Sequence, residues 1–397
     1  MLPTSDLLNR LSESATIKMA QLSRELAAKG VNVISLSLGE PDFRAPKHIK
    51  DAAKKALDAG FDSYSPVAGY LDLRQAICEK LKRDNQLEYK PEQIVVSTGA
   101  KQSLANIFLS FLNEGDEVII PAPYWVSYPE QVKMCNATPV YISTTVESNF
   151  KITPEQLEAA ITPKTKFLVY SSPCNPTGSV YSREEMAALV AVLEKYPQIV
   201  VVSDEIYEHI NYVGEHVSIA QFPSMKDRTV VVNGQAKGYA MPGWRIGYIA
   251  APLYIAKACD KLQGQVTSGT NSVAQKATVE ALTGDQTPTL EMRAAFEKRR
   301  DLVLSILQTI PGVKCNVPDG AFYVFPDVSA YFGKTFEGEV LKDADDLCLY
   351  LLNVGHVAAV AGSGFGAPEC IRFSYAASEE TLKEAFTRVK NALEKLA

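Results

Sequence analysis

A chain of 397 residues, 46 % hydrophobic and 22 % charged, is a globular protein long enough to build more than one core. Its net charge of −6, with no Lys/Arg run reaching five residues, excludes a basic nucleic-acid surface. No apolar run approaches the ~18 residues of a membrane helix, and the first residues lack a signal-peptide pattern, so a cytoplasmic protein is expected. Seven scattered cysteines without a CxxC pair and four histidines without metal spacing point to reduced thiols and no zinc site.

Residues 4–29 read as an arm and a helix, with Ile17, Met19, Ala20, Leu22, Leu26 and Ala27 at helical spacing and Gly30 as the stop. A strand over 31–38 ends in the turn Gly39-Glu40-Pro41-Asp42-Phe43. Helices are predicted over 46–59 and 71–85, joined by a loop that carries Tyr64 and Tyr70. From 93 to 251 strands and helices alternate. Strands fall at 94–97, 117–120, 139–143, 167–171, 199–203, 229–232 and 246–250, and helices at 100–112, 125–134, 154–161 and 182–195. The strands are continuous Val/Ile runs, which predicts an α/β domain whose mostly parallel sheet is covered by helices on both faces. Ligands of such sheets bind beyond the carboxyl ends of the strands. After about residue 285 a long helical pattern (290–309) leads to shorter elements and an amphipathic helix at 378–396. The expected division is a large domain over 46–285 and a smaller α+β domain over 286–397, joined by an arm over 1–45. Gly362-Ser363-Gly364-Phe365-Gly366 is glycine-rich but does not sit between a strand and a helix as a dinucleotide fingerprint requires.

Five stretches carry polar residues at predicted strand ends. Lys237 follows one apolar strand and precedes another, and Arg245 lies eight residues on. A lysine there either snorkels out of a loop or serves as a Schiff-base amine with a lowered pKa. Ser97-Thr98-Gly99-Ala100-Lys101 opens a helix, and its small residues suit a phosphate held by backbone N–H groups as well as they suit a plain turn. Asn175 stands between two prolines, in a loop that could equally be structural. Asp204 ends a buried strand, where a carboxylate requires a partner, and Tyr207 follows. Trp125 lies just past another strand and is either core or a stacking surface. Taken together, an anion cradle, a buried carboxylate, hydrogen-bond donors and a lysine match the needs of pyridoxal 5′-phosphate.

The chain resembles the fold-type I, class I aminotransferases, most nearly their bacterial-type aspartate aminotransferase subgroup. The likeness runs almost end to end. It is carried by Gly39-Glu40-Pro41-Asp42-Phe43, Tyr64 with Gly69, Gly99-Ala100-Lys101-Gln102, Pro123-Tyr124-Trp125-Val126-Ser127-Tyr128-Pro129-Glu130, Asn175-Pro176-Thr177-Gly178, Asp204-Glu205-Ile206-Tyr207, Lys237 to Arg245, Gly320-Ala321-Phe322-Tyr323 and Ile371-Arg372-Phe373-Ser374. The resemblance implies a seven-stranded sheet and a homodimer with shared active sites. It further implies that Lys237 binds pyridoxal phosphate as a Schiff base and moves the substrate proton, and that Asp204 pairs with the pyridine nitrogen. Tyr207 and Asn175 would bond the phenolic oxygen, Trp125 would stack on the ring, and Arg245 with Gly99, Ala100 and Lys101 would line the phosphate side. Tyr64 would reach the phosphate of the other subunit. Arg372 would clamp the substrate α-carboxylate, helped by Gly39 and Asn175. Two positions depart from many relatives: Gly234 stands where a phosphate-touching serine is common, and Pro242 where threonine is common.

In the same subgroup a lysine at Lys101 and a hydroxyl at Thr16 meet the distal carboxylate, which implies transamination between aspartate and 2-oxoglutarate. The alternatives are an aminotransferase for prephenate, aromatic amino acids, kynurenine or alanine, and a carbon–sulfur β-lyase. Prephenate is not favoured, because position 12 is serine and the nearest upstream basic residue is Arg10. A pyridoxal-phosphate-dependent transcription regulator is disfavoured by the acidic charge.

Overall fold

The computed structural model describes residues 2–397. Its centre is a seven-stranded sheet of β1 (Ile94–Ser97), β2 (Glu117–Ala122), β3 (Thr138–Ser143), β4 (Thr165–Ser171), β5 (Val200–Asp204), β6 (Thr229–Gly234) and β7 (Gly247–Ala250). The spatial order is β1-β7-β6-β5-β4-β2-β3. All neighbours are parallel except that β7 runs antiparallel to both β1 and β6. The Val/Ile runs behave as expected of strands covered on both faces: Val230, Val231 and Val232 are wholly buried. Burying each such side chain stabilises the fold by about 1.5–3 kcal/mol relative to exposure.

Helices cover the sheet, including Leu253–Val266 and Ser272–Thr283, a stretch to which the sequence assigns no element. Ser272–Thr283 packs on Lys47–Asp58 and Leu71–Asn85, and its buried face is mostly small (Ala274, Ala277, Ala281), which blurs the apolar periodicity that marks a helix in sequence.

A second core gathers residues from 292 to 396 together with Met19 and Leu36 of the N-terminal segment. It holds a three-stranded antiparallel sheet, in the order Val360–Ala361, Ile371–Ser374 and Tyr323–Val324. It also holds the helices Thr287–Leu307 and Glu379–Leu393, the latter capped by the Ser378 side chain. The strand expected over 31–38 contracts to Ile34–Ser35, paired in parallel with Val357–Ala358. Beyond it, the carbonyls of Ser37 and Gly39 accept hydrogen bonds from Arg372 and Lys237 instead of joining a ladder. The helix expected from 125 begins at Ser127, leaving Trp125 in the connecting loop.

The end of β5 and the segment after it present residues to opposite sides. Asp204 and Tyr207 line the cavity described below, while Glu205 and Glu208 meet buried partners behind it. Glu208 pairs with the buried Lys80 of Leu71–Asn85 and accepts from Asn85 Nδ2 at 2.7 Å, and Lys80 Nζ donates to Asn85 Oδ1 at 2.6 Å. Burial alone would raise the Glu208 carboxyl, but Lys80, with His209 and His216, holds it well below the usual carboxylate range. This contribution to stability is full above the unfolded carboxyl pKa and is lost as pH falls through the lower folded value. Lys80→Met is therefore expected to destabilise the protein by about 3–5 kcal/mol at pH 7, read as a lower urea midpoint. The deficit shrinks as pH falls below about 4, and the double variant with Glu208→Met recovers most of it.

Candidate active site

At the carboxyl edge of the large sheet lies a cavity of about 510 Å³. Successive parallel strands deliver Trp125 after β2, Asn175 after β4, Asp204 and Tyr207 at and after β5, and Lys237 after β6. Gly99, Ala100 and Lys101 follow β1. Arg245 precedes its strand, yet β7 is antiparallel, so its amino end lies at the same edge. Gly39 and Thr16 arrive from the N-terminal segment and Arg372 from the small sheet. Tyr64 is the one predicted site residue outside the cavity, and its side chain is 100 % exposed.

Lys237 Nζ donates to the Gly39 carbonyl at 2.5 Å and lies 5.6 Å from the Tyr207 ring centre. Burial among protein atoms pushes its ammonium down to about 8; Glu40 opposes this and Arg372 adds to it. A substantial fraction of neutral amine is thus present near physiological pH. Asp204 is buried, and desolvation pushes its carboxyl up to about 6. The Tyr128 hydroxyl donates to its Oδ2 at 2.7 Å and the Ile206 N–H to its Oδ1 at 3.3 Å, keeping it an anion at pH 7.

Arg372 is only 2 % exposed. Its Nη1 donates to Asn175 Oδ1 at 2.9 Å and its Nη2 to the Ser37 carbonyl at 2.6 Å. Its Nε has no hydrogen-bond partner, and a buried unpaired donor on a guanidinium is costly unless a ligand completes it. The Asn175–Pro176 peptide is cis.

The start of the helix Ala100–Phe111 offers N–H groups without intrahelical acceptors. Gly99 precedes it at φ 84, and a side chain there would strike the Arg245 guanidinium. Gly247 has a similar steric reason, since a Cβ would collide with the Ala100 backbone. Arg245 Nη1 is held by the Pro242 carbonyl at 2.8 Å. At Gly234 a Cβ would lie 2.7 Å from the Ile246 carbonyl oxygen, so a side chain there requires the backbone to shift. The donors this wall offers an anion are Arg245 and the first N–H groups after β1. Lys101 Nζ lies 5.0 Å from the Trp125 ring centre, and burial followed by the Arg245 charge lowers its pKa.

Four cationic side chains (Lys101, Lys237, Arg245 and Arg372) thus line the cavity against two acidic ones, Glu40 and Asp204. Such a site receives anions. Sequence reasoning assigned no part to Tyr128, Glu40 or the Ser37 carbonyl. Tyr128 stands one helical turn after Trp125, and the demand of the strand-end aspartate for a donor was the signal that could have singled it out.

The family model for aminotransferase class I and II matches residues 31–389. An aspartate/prephenate aminotransferase of Cereibacter sphaeroides is 48 % identical over 389 residues, 97 % of each chain. The crystal structure of the aspartate aminotransferase from Rhizobium meliloti superposes with a TM-score of 0.97 at 42 % identity, covering 100 % of both chains. The aspartate aminotransferase of Thermus thermophilus with maleate gives a TM-score of 0.93 at 41 % identity, covering 99 % of this chain and 100 % of its own. With the strand-end constellation and these full-length likenesses together, the chain belongs to the class I and II aminotransferases, a family of pyridoxal phosphate enzymes.

Proposed function

We propose that this protein transfers the amino group of L-aspartate to 2-oxoglutarate, giving oxaloacetate and L-glutamate, with pyridoxal 5′-phosphate held at Lys237. The observation that carries the reading is the pairing of the buried Arg372, whose Nε lacks a partner, with Lys101 in the same cavity. Two fixed cations suit a substrate with two carboxylates, and the Thermus thermophilus relative was solved with maleate, which has two.

The donor set fits the cofactor. Arg245 and the first N–H groups after Gly99 suit its phosphate, the anionic Asp204 its pyridine nitrogen, Tyr207 and Asn175 its phenolic oxygen, and Trp125 its ring face. Once bound, pyridoxal phosphate supplies an electron sink for the carbanion at the amino-acid Cα. Arg372 clamps the α-carboxylate, aided by Gly39 and Asn175. Lys101 and Thr16 meet the distal carboxylate. Lys237 takes the Cα proton as general base, a task suited to an amine whose pKa lies near the working pH. Tyr128 acts through Asp204, keeping it oriented and ionised.

We read the fully exposed Tyr64 as serving a second copy of the chain in a homodimer. Its loop is braced by Ser65 Oγ, which donates to the Thr270 carbonyl at 3.1 Å. We also read 1–45 and 286–397 as one closing unit against 46–285. No helix among the described residues is long and apolar enough to cross a membrane, and a cytoplasmic location fits that. Prephenate, which Ser12 and Arg10 do not favour, is a second dicarboxylate candidate, and the observation on its side is the apolar rim of Ile17 (62 % exposed) and Leu38 (43 % exposed) on the cavity wall.

Lys237→Ala is expected to abolish turnover and the borohydride-reducible adduct with pyridoxal phosphate while leaving the far-UV circular dichroism intact. In the wild-type protein the rate of adduct formation should climb with pH and level off above about 8, since the neutral amine is the nucleophile. A midpoint near the ordinary lysine value would show the amine to be unperturbed. Lys101→Ala should lower the aspartate-to-alanine ratio of kcat/KM about tenfold or more, whereas Arg372→Lys should raise KM for both amino acids by a similar factor. An unchanged ratio in the first variant removes Lys101 from substrate choice. A panel that includes prephenate decides between the two dicarboxylate readings.

A further inference from the structure

The Gly320-Ala321-Phe322-Tyr323 segment has no part in the chemistry above, yet its last residue stands where the two halves of the site meet. Tyr323 is wholly buried and begins a strand of the small sheet, whereas Tyr207 follows β5 of the large sheet. Their hydroxyls lie 2.7 Å apart. The Tyr323 ring centre is 4.6 Å from the Arg372 guanidinium, a cation–π distance. Its hydroxyl also rests against Gly39, where a Cβ would collide with it, and the Gly39 carbonyl is the acceptor for Lys237. One phenol therefore touches the hydroxyl offered to the cofactor, the guanidinium offered to the substrate and the backbone that receives the lysine.

We propose that Tyr323 is a positioning residue that donates its proton to Tyr207 Oη, so strengthening the bond Tyr207 gives to the phenolic oxygen of bound pyridoxal phosphate, while its ring fixes the plane of Arg372. This inference rests on the function proposed above. The direction of the bond follows from proton counting. Each phenol owns one proton, and if Tyr207 gives its own to the cofactor, only its lone pairs remain to meet Tyr323. Tyr323 is then the donor. Both phenols are buried, and burial raises both pKa values, so each keeps its proton at neutral pH. In a dry site, a donor behind a donor polarises it and strengthens its bond. Gly39 is the steric condition for the arrangement, since any side chain there drives the Tyr323 hydroxyl away.

Three variants of the pyridoxal phosphate-loaded protein test this: Tyr323→Phe, Tyr323→Leu and Gly39→Ala. The readouts are the pH midpoint of the visible cofactor band and KM for aspartate and alanine. A weaker donor at the phenolic oxygen lets the linkage between cofactor and Lys237 hold its proton to higher pH. Tyr323→Phe keeps the ring and removes the proton, so the midpoint should rise by about half a unit or more while both KM values stay within about twofold of wild type. Tyr323→Leu removes the ring as well, so the same rise should come with KM values about tenfold higher for both amino acids. Gly39→Ala keeps the phenol but displaces it, and the midpoint should rise again, which decides the matter should either Tyr323 variant fold poorly. A midpoint within about 0.2 unit of wild type in Tyr323→Phe or in Gly39→Ala overturns the proposal. Failure of the wild-type protein to acquire a visible cofactor band would instead overturn the proposed function.

Discussion

A carboxylate buried at the end of an apolar strand sets the terms for the whole site. Asp204 closes β5 in a wall of valines, and removing it from water is tolerable only because Tyr128 and the Ile206 N–H bond it from one side. Those two neutral donors supply hydrogen bonds but no charge. The carboxylate is therefore left demanding a cation from the cavity, the electrostatic opening that the proposed function fills with a pyridinium nitrogen. The two carboxylates that follow it, Glu205 and Glu208, meet other partners and are compensated separately. Glu205 accepts from Ser203 and Ser218 and lies 2.9 Å from His216, whose pKa rises against the effect of its own burial. Glu208 is matched by Lys80 and Asn85. The contacts of Glu205 and Glu208 behind the strand thus brace the segment that presents Asp204 and Tyr207 in front of it.

The same low-dielectric setting explains the lysine. Nearby positive charge from Arg372 and withdrawal from water both work against an ammonium at Lys237, and Glu40 compensates only in part. An anionic cofactor and a dicarboxylate substrate would bring negative charge into a cavity with four cationic side chains and two acidic ones. Ligand binding and catalysis therefore draw on one electrostatic imbalance, which the fold maintains by placing its counter-charges elsewhere.

Much of this was legible in the residues. The seven strands of the large sheet fall where continuous Val/Ile runs occur, and twelve of the thirteen site residues named from sequence line one cavity, with Tyr64 outside it. The reason is topological: residues just beyond parallel strands share an edge whatever their separation along the chain. Helix Ser272–Thr283 was not legible because its buried face is built largely from alanines. The strand over 31–38 was overestimated because apolar alternation does not reveal where carbonyls are diverted to side chains such as Arg372 and Lys237.

By itself, the sequence determined the α/β class and the succession of polar residues at strand ends, and its resemblance to a family supplied the parts expected of Lys237, Asp204, Arg245 and Arg372. The class and the succession follow from local composition and spacing, which tertiary packing does not alter. Tertiary structure alone decided which groups meet. The antiparallel course of β7 brings Arg245 to the cavity from the amino end of its strand. The small sheet lowers Arg372 onto Asn175, and Tyr323 onto Tyr207, across 197 and 116 residues of chain. The unpaired Nε of Arg372 and the depressed pKa of Lys237 are likewise products of burial, set by neighbours far away in sequence, and no window of sequence contains them.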